Sequence, residues 1–332
     1  MTSNDQPSYL SPSELGSKDY WENYYSRTLA HISNDKPAQD TDPEQGPQST
    51  ADKTVDSDAD SDLNDEDDPG TSWFSEHNAP EKVLRFLTRS SFPLAPRNTR
   101  ASAPAPAISG QPTVLDLGTG NGSMLALLQK KGGFTGQMVG VDYSAQSIEL
   151  ARELQRVRGH SAYRTDSEES KSDTDSDEDT TAGSSTEAAP CPAIQFEEWD
   201  ILSSKALLSQ SGTPVDRTAA DEVLSWFPYD VGGFDIVLDK GTFDAVSLAA
   251  DARDTRVCER YPGIARRLVR RGGFLVVTSC NWTEEELVSW FTRGEDADRL
   301  VVWGSVEYPR FRFGGHEGQG VCTVCFQRVG DS

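Results

Sequence analysis

VLDLGTGNG, residues 114–122, decides the fold of this chain. A short apolar strand (Val114, Leu115, Leu117) runs into three glycines at alternate positions, Gly118, Gly120 and Gly122, and an amphipathic run, SMLALLQKK, follows at once. That order predicts strand, tight turn and helix. Glycine serves where the chain must take positive φ or let a ligand lie against bare backbone, and the helix behind it presents free N–H groups and a positive dipole end. Asp116 interrupts the apolar strand, where an unpaired charge is costly. It is expected either to brace the turn or to receive a cationic ligand group. Thr119 and Asn121 fill the turn and join the glycines as candidate ligand contacts.

The spacing narrows the ligand. A dinucleotide fingerprint, G-x-G-x-x-G, needs glycine or alanine at position 123, and this chain has Ser123. The D-x-G-x-G-x-G form instead resembles motif I of the seven-strand S-adenosylmethionine (SAM)-dependent methyltransferases. The resemblance implies a ligand without phosphate and with an amino-acid end.

Of 332 residues 35% are hydrophobic, and the formal net charge is −23. The charge is concentrated. Residues 35–68 carry 13 acidic and 2 basic side chains, and residues 164–187 carry 9 and 2. These two runs hold −18 of the total and are too poor in apolar residues to offset ordering entropy, so both read as disordered. The remainder is nearly neutral and of a size to bury one core. No run of eighteen apolar residues occurs, and the N-terminus lacks the pattern of a secretory signal. A soluble, intracellular protein is expected. Five scattered cysteines fit reduced thiols. Cys322 and Cys325 form a C-x-x-C inside a strand-like run, where residues three apart face opposite sides, so no metal site is expected.

Taken in order, SELGSKDYWENYYSRTLAHI predicts an N-terminal helix after a Ser17 cap, with Leu15, Tyr20, Trp21, Tyr24 and Tyr25 on an aromatic stripe. The stripe either packs on the domain or closes over a ligand, with Trp21 as the contact. The expected division is a helix over 1–33, an acidic tether over 34–71, and a domain over 72–330 that contains a linker at 93–112 and an acidic insertion at 161–192. From Thr113 onward strands and helices alternate, the pattern of a doubly wound parallel sheet. Asp142 ends the second strand, 24 residues beyond Gly118, where a carboxylate accepts both ribose hydroxyls of an adenosine or else caps the next helix. Asp200 ends the third, placed for an adenine amino group or for capping. Tyr143 and Ile201, next in sequence to those acids, complete the candidate cofactor contacts. Asp239-Lys240-Gly241 forms the exit of strand four, on the edge that faces the ligand crevice. RLVVWGSVEYP and VCTVCFQRV close the sheet, with a hairpin-like FRFGGHEGQG between them. The fold class expected is a Rossmann-like, seven-strand α/β sheet with an antiparallel last strand.

At this point SELGSKDYWENYYSRTL, EKVLRFL, VLDLGTGNGSMLALL, MVGVDYSAQSIELAR, VLDKGTFDAVSL, TSCNWTEEEL and GQGVCTVCFQRV resemble the eukaryotic elongation factor 1-alpha lysine methyltransferases of the seven-strand class. The resemblance implies transfer of the SAM methyl group to a lysine ε-amine of elongation factor 1-alpha. The partner expected is that protein, with no direct nucleic acid binding, no membrane, a monomeric state and a cytoplasmic location with a nuclear pool left open. Asp239 is the candidate for positioning the amine, with a bracing role as its alternative. Asn281 and Trp282, at the exit of strand five, are candidates for the lysine channel, though packing and capping account for them as well. A small-molecule methyltransferase would share every SAM residue, and a non-catalytic module that kept the fold is the third class.

Overall fold

The computed structural model describes residues 9–34, 69–70, 74, 77–99, 110–164, 192–204, 206, 208, 223–250, 254, 257–293, 297–313 and 316–330. The two acidic runs, and the disorder expected of them, lie outside the described residues. Strands β1 (Val114–Leu117), β2 (Met138–Asp142), β3 (Gln195–Glu198), β4 (Phe234–Lys240), β5 (Val269–Ser279), β6 (Arg299–Val306) and β9 (Cys322–Val329) form one sheet in the order β3-β2-β1-β4-β5-β9-β6. The first five pair in parallel. β9 slots between β5 and β6 and runs antiparallel to both. The hairpin-like stretch is a separate ribbon, β7 (Phe311–Phe313) against β8 (His316–Gly318).

Helices α1 (Lys18–Asn34), α2 (Ala79–Thr88), α3 (Pro96–Thr99), α4 (Ser123–Lys130) and α5 (Ala145–Val157) precede β3; α6 (Thr242–Ser247), α7 (Val257–Leu268) and α8 (Glu284–Phe291) follow β4. Two cores result, one on each face of the sheet. Leu115, Leu117 and Val237 face Phe243, Tyr261, Trp290 and Phe291, whereas Val114, Ile236 and Leu238 face Phe86, Leu125 and Leu150. The period of two along β4 therefore sends neighbouring residues into different layers. The same alternation places Cys322 in the first core and Cys325 in the second.

Local chemistry sets the helix starts. Ser17 Oγ accepts from Tyr20 N–H (3.3 Å), Ser144 Oγ from Ser147 N–H (3.1 Å), and Thr283 with Glu286 makes a reciprocal capping box at α8. Two expected boundaries move. The stretch 93–112 is not a linker throughout: Ala95 is fully buried beside Phe92, Pro96 opens α3 where no N–H is needed, and Asn98 Nδ2 donates to Phe92 O at 2.7 Å. The expected insertion begins too early at 161. Ala162 and Tyr163 are buried in the α4/α5 core, and the acidic composition that marked the insertion starts only after Arg164.

Candidate active site

The crevice lies over the C-terminal ends of β1, β2 and β4, where the strand order reverses around β1. Its floor is the glycine turn. Gly118, Gly120 and Gly122 all have positive φ, 59°, 57° and 74°. At Gly118 a Cβ would sit 2.2 Å from Thr242 Oγ1, and at Gly120 it would meet Tyr25 Oη at 2.8 Å. The turn thus keeps bare backbone toward the crevice while α1 and α6 crowd it. Gly122 is different. It sits under Phe196 and Tyr163, away from the crevice lining, so its role is packing.

Asp116 is buried and does not reach the crevice; Thr119 Oγ1 donates to its Oδ2 at 2.9 Å. Of its two expected roles, the brace is the one its geometry performs. Burial pushes its pKa up to about 6, with Lys240 and Thr119 pulling the other way. Asp142 does line the crevice, but its oxygens are already engaged. Oδ2 accepts from Gly120 N–H (3.1 Å) and Ser147 Oγ (2.9 Å), and Oδ1 from Ser144 N–H (2.9 Å). A carboxylate oxygen accepts about two donors, so Asp142 has one free site on Oδ1 rather than two clean oxygens for a diol. Its own contribution is to hold the glycine turn against the start of α5.

The walls are aromatic and acidic. Trp21 and Tyr25 of α1 stack at 5.9 Å, each 8% exposed, and Trp21 Nε1 donates to Leu15 O at 2.8 Å. Glu22, between them, accepts from Ala145 N–H (3.1 Å) and Gln146 N–H (3.3 Å) at the start of α5. That contact pins α1 to a helix N-terminus, where a carboxylate is favoured. The aromatic stripe therefore both packs and lines the crevice. Tyr143, Asp200 and Ile201 stand on the far wall, with Trp199 and Leu202 beside them. Asp200 Oδ1 accepts from Leu202 N–H (2.9 Å) and Ser203 N–H (3.2 Å), which leaves Oδ2 for the crevice. Tyr143 Oη donates to Ser17 O at 3.3 Å, tying this wall to the entry of α1.

The three candidate catalytic residues do not come together there. Asp239 is 1% exposed and turned into the opposite layer. Its Oδ2 accepts from Tyr261 Oη (2.7 Å), and its Oδ1 from Thr242 N–H (2.9 Å) and Phe243 N–H (3.1 Å). It braces the start of α6, and burial raises its pKa to about 7. Trp282 is buried against Phe243 and Trp290, a packing residue. Asn281 is exposed and off the crevice lining, its N–H donating to Ser279 Oγ at 3.1 Å. Lys240, one residue on from Asp239, does line the crevice; so does Trp199, one residue before Asp200. The sequence places Lys240 at the strand exit facing the crevice but gives it no role, and Trp199 it does not single out, although each is adjacent to a residue it named.

A seven-strand sheet with an antiparallel penultimate position and a D-x-G-x-G-x-G turn at its switch point is the Rossmann-like methyltransferase fold. A family model described as a methyltransferase domain matches residues 108–173, which span β1 to the end of α5 and its following turn. Over 96% of its length the chain is 29% identical to "Protein-lysine N-methyltransferase EFM4" of Saccharomyces cerevisiae, covering 96% of that protein. It is 27% identical to the efm4 protein of Schizosaccharomyces pombe, with 96% and 95% covered. It is 26% identical to "EEF1A lysine methyltransferase 2" of Homo sapiens, with 96% and 88% covered. The resemblance carried by separate motifs in the sequence thus holds from end to end.

Proposed function

We propose that this protein transfers a methyl group from SAM to the ε-amine of a lysine on elongation factor 1-alpha. The observation that carries the reading is the end-to-end similarity to lysine methyltransferases, one of them named for EEF1A, in a chain whose crevice suits this cofactor. The fit is chemical. Gly118 and Gly120 offer backbone without a side chain, the far-wall acids offer acceptors for hydroxyl and amino hydrogens, and Trp21, Tyr25, Tyr143 and Trp199 offer ring faces. When bound, SAM supplies a methyl group on a sulfonium, already a good leaving group.

What remains for the chain is alignment and the exclusion of water. Both are served by a crevice floored by a rigid glycine turn and walled by α1. A free lysine has a pKa near 10.4, so the substrate amine must shed a proton before it attacks. Loss of that proton on entry to a largely apolar crevice follows from desolvation of the ammonium. The protein is proposed to act as a cytoplasmic monomer, with no nucleic acid or membrane required.

Incubating the purified full chain with elongation factor 1-alpha and methyl-labelled SAM tests the reading. Intact-mass analysis should show steps of about 14 Da on the factor, one for each methyl added. Label transfer only to small molecules would replace the proposal with a small-molecule enzyme. Absence of SAM binding would leave a non-catalytic module.

A further inference from the structure

We propose that Asp244 is a positioning residue for the protein substrate: it fixes the turn after β5 so that the side-chain carbonyl oxygen of Asn281 stands at the rim of the crevice and accepts a hydrogen bond from the segment that carries the target lysine. The inference rests on the reading of this chain as a protein-lysine methyltransferase.

Three observations support it. The first is what Asp244 holds. It lies in the first turn of α6, wholly buried, and among the described residues the donors to its carboxylate all come from the turn after β5. Ser279 Oγ donates to Oδ1 (2.5 Å), while Cys280 N–H (2.9 Å) and Cys280 Sγ (3.5 Å) donate to Oδ2. Ser279 Oγ in turn accepts from Asn281 N–H (3.1 Å) and Trp282 N–H (2.9 Å), which uses its one proton and both lone pairs. A single carboxylate thus sets the backbone from Ser279 to Trp282. Its burial is unfavourable and raises its pKa, with the donors of the turn pulling the other way. An apolar side chain could fill the same space without that cost, so filling space is not its task. Burial also pushes the Cys280 thiol up to about 12, so at neutral pH it stays an S–H donor to the carboxylate.

The second is place. Lys240 pairs with Thr278, and Gly241 N–H donates to Thr278 O at 3.0 Å. Lys240 and Gly241 both line the crevice, so the residues that follow Thr278 leave the sheet directly beside it. Cys280 and Asn281 are exposed there. α6 stands between, with Thr242 and Ala245 on the crevice and Asp244 on the turn. A lysine side chain that enters across the exits of β4 and β5 passes this turn.

The third is the orientation of Asn281. Its Nδ2 donates to Cys280 Sγ at 3.7 Å, and the same side chain acts as a donor toward Asp244. Turning the amide over would set its oxygen against a carboxylate, so the nitrogen end faces inward. The oxygen accepts from no group among the described residues. An amide oxygen held in this way accepts from an ammonium or a peptide N–H, the donors that a lysine-bearing segment brings.

Steady-state kinetics of the full chain, with elongation factor 1-alpha varied at saturating SAM, test the assignment on Asn281→Ala, Asp244→Asn and the double variant; calorimetry gives SAM affinity and thermal unfolding the folded fraction. Asn281→Ala removes only an exposed side chain. Its KM for the factor should rise about two- to tenfold, the worth of one hydrogen bond, with kcat per folded molecule and SAM affinity unchanged. Asp244→Asn should reproduce that rise and add nothing to it in the double variant, because it acts through Asn281. Should Asp244→Asn fail to fold, Ser279→Ala cuts the same network and carries the same expectation. An unchanged KM in Asn281→Ala overturns the assignment. So do additive effects on KM, which would make Asp244 a brace with no part in the Asn281 contact, and an equal loss of SAM affinity, which would put the turn in the cofactor site. A wild type that binds SAM but transfers no methyl group to the factor would remove the reading on which the assignment stands, and the assignment with it.

Discussion

Asp239→Asn separates the brace from the amine-positioning role. Asp239 is fully buried with three donors on it, and its pKa is raised from 3.8 to about 7. A raised carboxyl pKa means that the native state holds the proton more tightly than the unfolded chain does. The stabilisation is complete below about pH 4 and is lost as pH rises toward about 7, after which it stays constant. Asparagine is the hydrogen-bond equivalent of the protonated acid: its oxygen still accepts from Thr242 and Phe243 N–H, and its amide faces Tyr261 Oη. The variant never bears the buried charge. Its unfolding free energy relative to wild type should therefore improve by about 3 kcal/mol between pH 5 and pH 8, at 1.36 kcal/mol per pH decade over the interval that Asp239 titrates. Asp116 and Asp142 also have raised pKa values through burial, but they are common to both proteins and cancel; Asp244, whose charge helps to raise the Asp239 pKa, contributes to the difference in the same direction. Urea titrations at the two pH values, with unchanged m, give the difference directly. Turnover of the folded variant should stay within a few-fold of wild type. Parallel pH dependences, together with turnover lost in a protein that still binds SAM, would refute the bracing role and return Asp239 to the substrate.

Three further outcomes follow from the same geometry. Asp142→Ala removes the acceptor for Gly120 N–H, Ser144 N–H and Ser147 Oγ, so it should lower stability by about 1–3 kcal/mol as well as SAM affinity; a stable variant with weakened binding would mean that the carboxylate serves the ligand alone. Glu22→Ala frees the start of α5 and loosens α1, which should cost about 0.3–1 kcal/mol in thermal unfolding and weaken SAM binding through Trp21 and Tyr25, read by calorimetry; loss of stability with intact affinity would mean that α1 only packs. Deleting residues 35–68 and 164–187 removes −18 of charge, and if those carboxylates steer a basic substrate, kcat/KM should fall at low salt and converge with wild type near 0.5 M, where the screening length is roughly 4 Å; equal values at low salt would end the steering idea.

How far the sequence reveals the site depends on how local the signal is. The glycine turn, the Ser17 cap and the α1 stripe are written in adjacent residues, and each appears in the structure where the pattern puts it; the α5 start is capped by Ser144, not by Asp142, which the sequence offered. The facing of strand-exit residues is not local. Nothing in LDKG says which of Asp239 and Lys240 turns toward the crevice, because that depends on which layer packs against which face of β4. Composition misleads at the edges of elements for a similar reason. Proline-rich 93–112 reads as a linker, yet Phe92 and Ala95 complete a core supplied by Phe274 and Trp303, hundreds of residues away or nearly so in sequence. Tyr163 is hidden by its acidic neighbours, although its hydroxyl donates to Asn121 O at 3.2 Å and so buttresses the glycine turn.

These misses share a physical cause that bears on function. The buried acids at the strand ends beneath the crevice, Asp116, Asp142 and Asp239, are spent on backbone N–H groups and hydroxyls, among them those of the turn, α5 and α6. A carboxylate so engaged fixes a loop; it has little left with which to hold a ligand that comes and goes. Among the described residues, the crevice is lined by Lys240, by Asp200, whose Oδ2 accepts from no backbone N–H, and by the rings of Trp21, Tyr25, Tyr143 and Trp199. Reactive specificity in this crevice therefore rests on preorganised backbone and aromatic walls with few polar groups, as expected where the leaving group is already activated and the chain's task is alignment. Conservative replacement of a wall ring such as Trp199→Phe should then alter KM for the cofactor more than kcat, whereas any residue replaced at Gly118 must displace Thr242 Oγ1, 2.2 Å from its Cβ, and should abolish both.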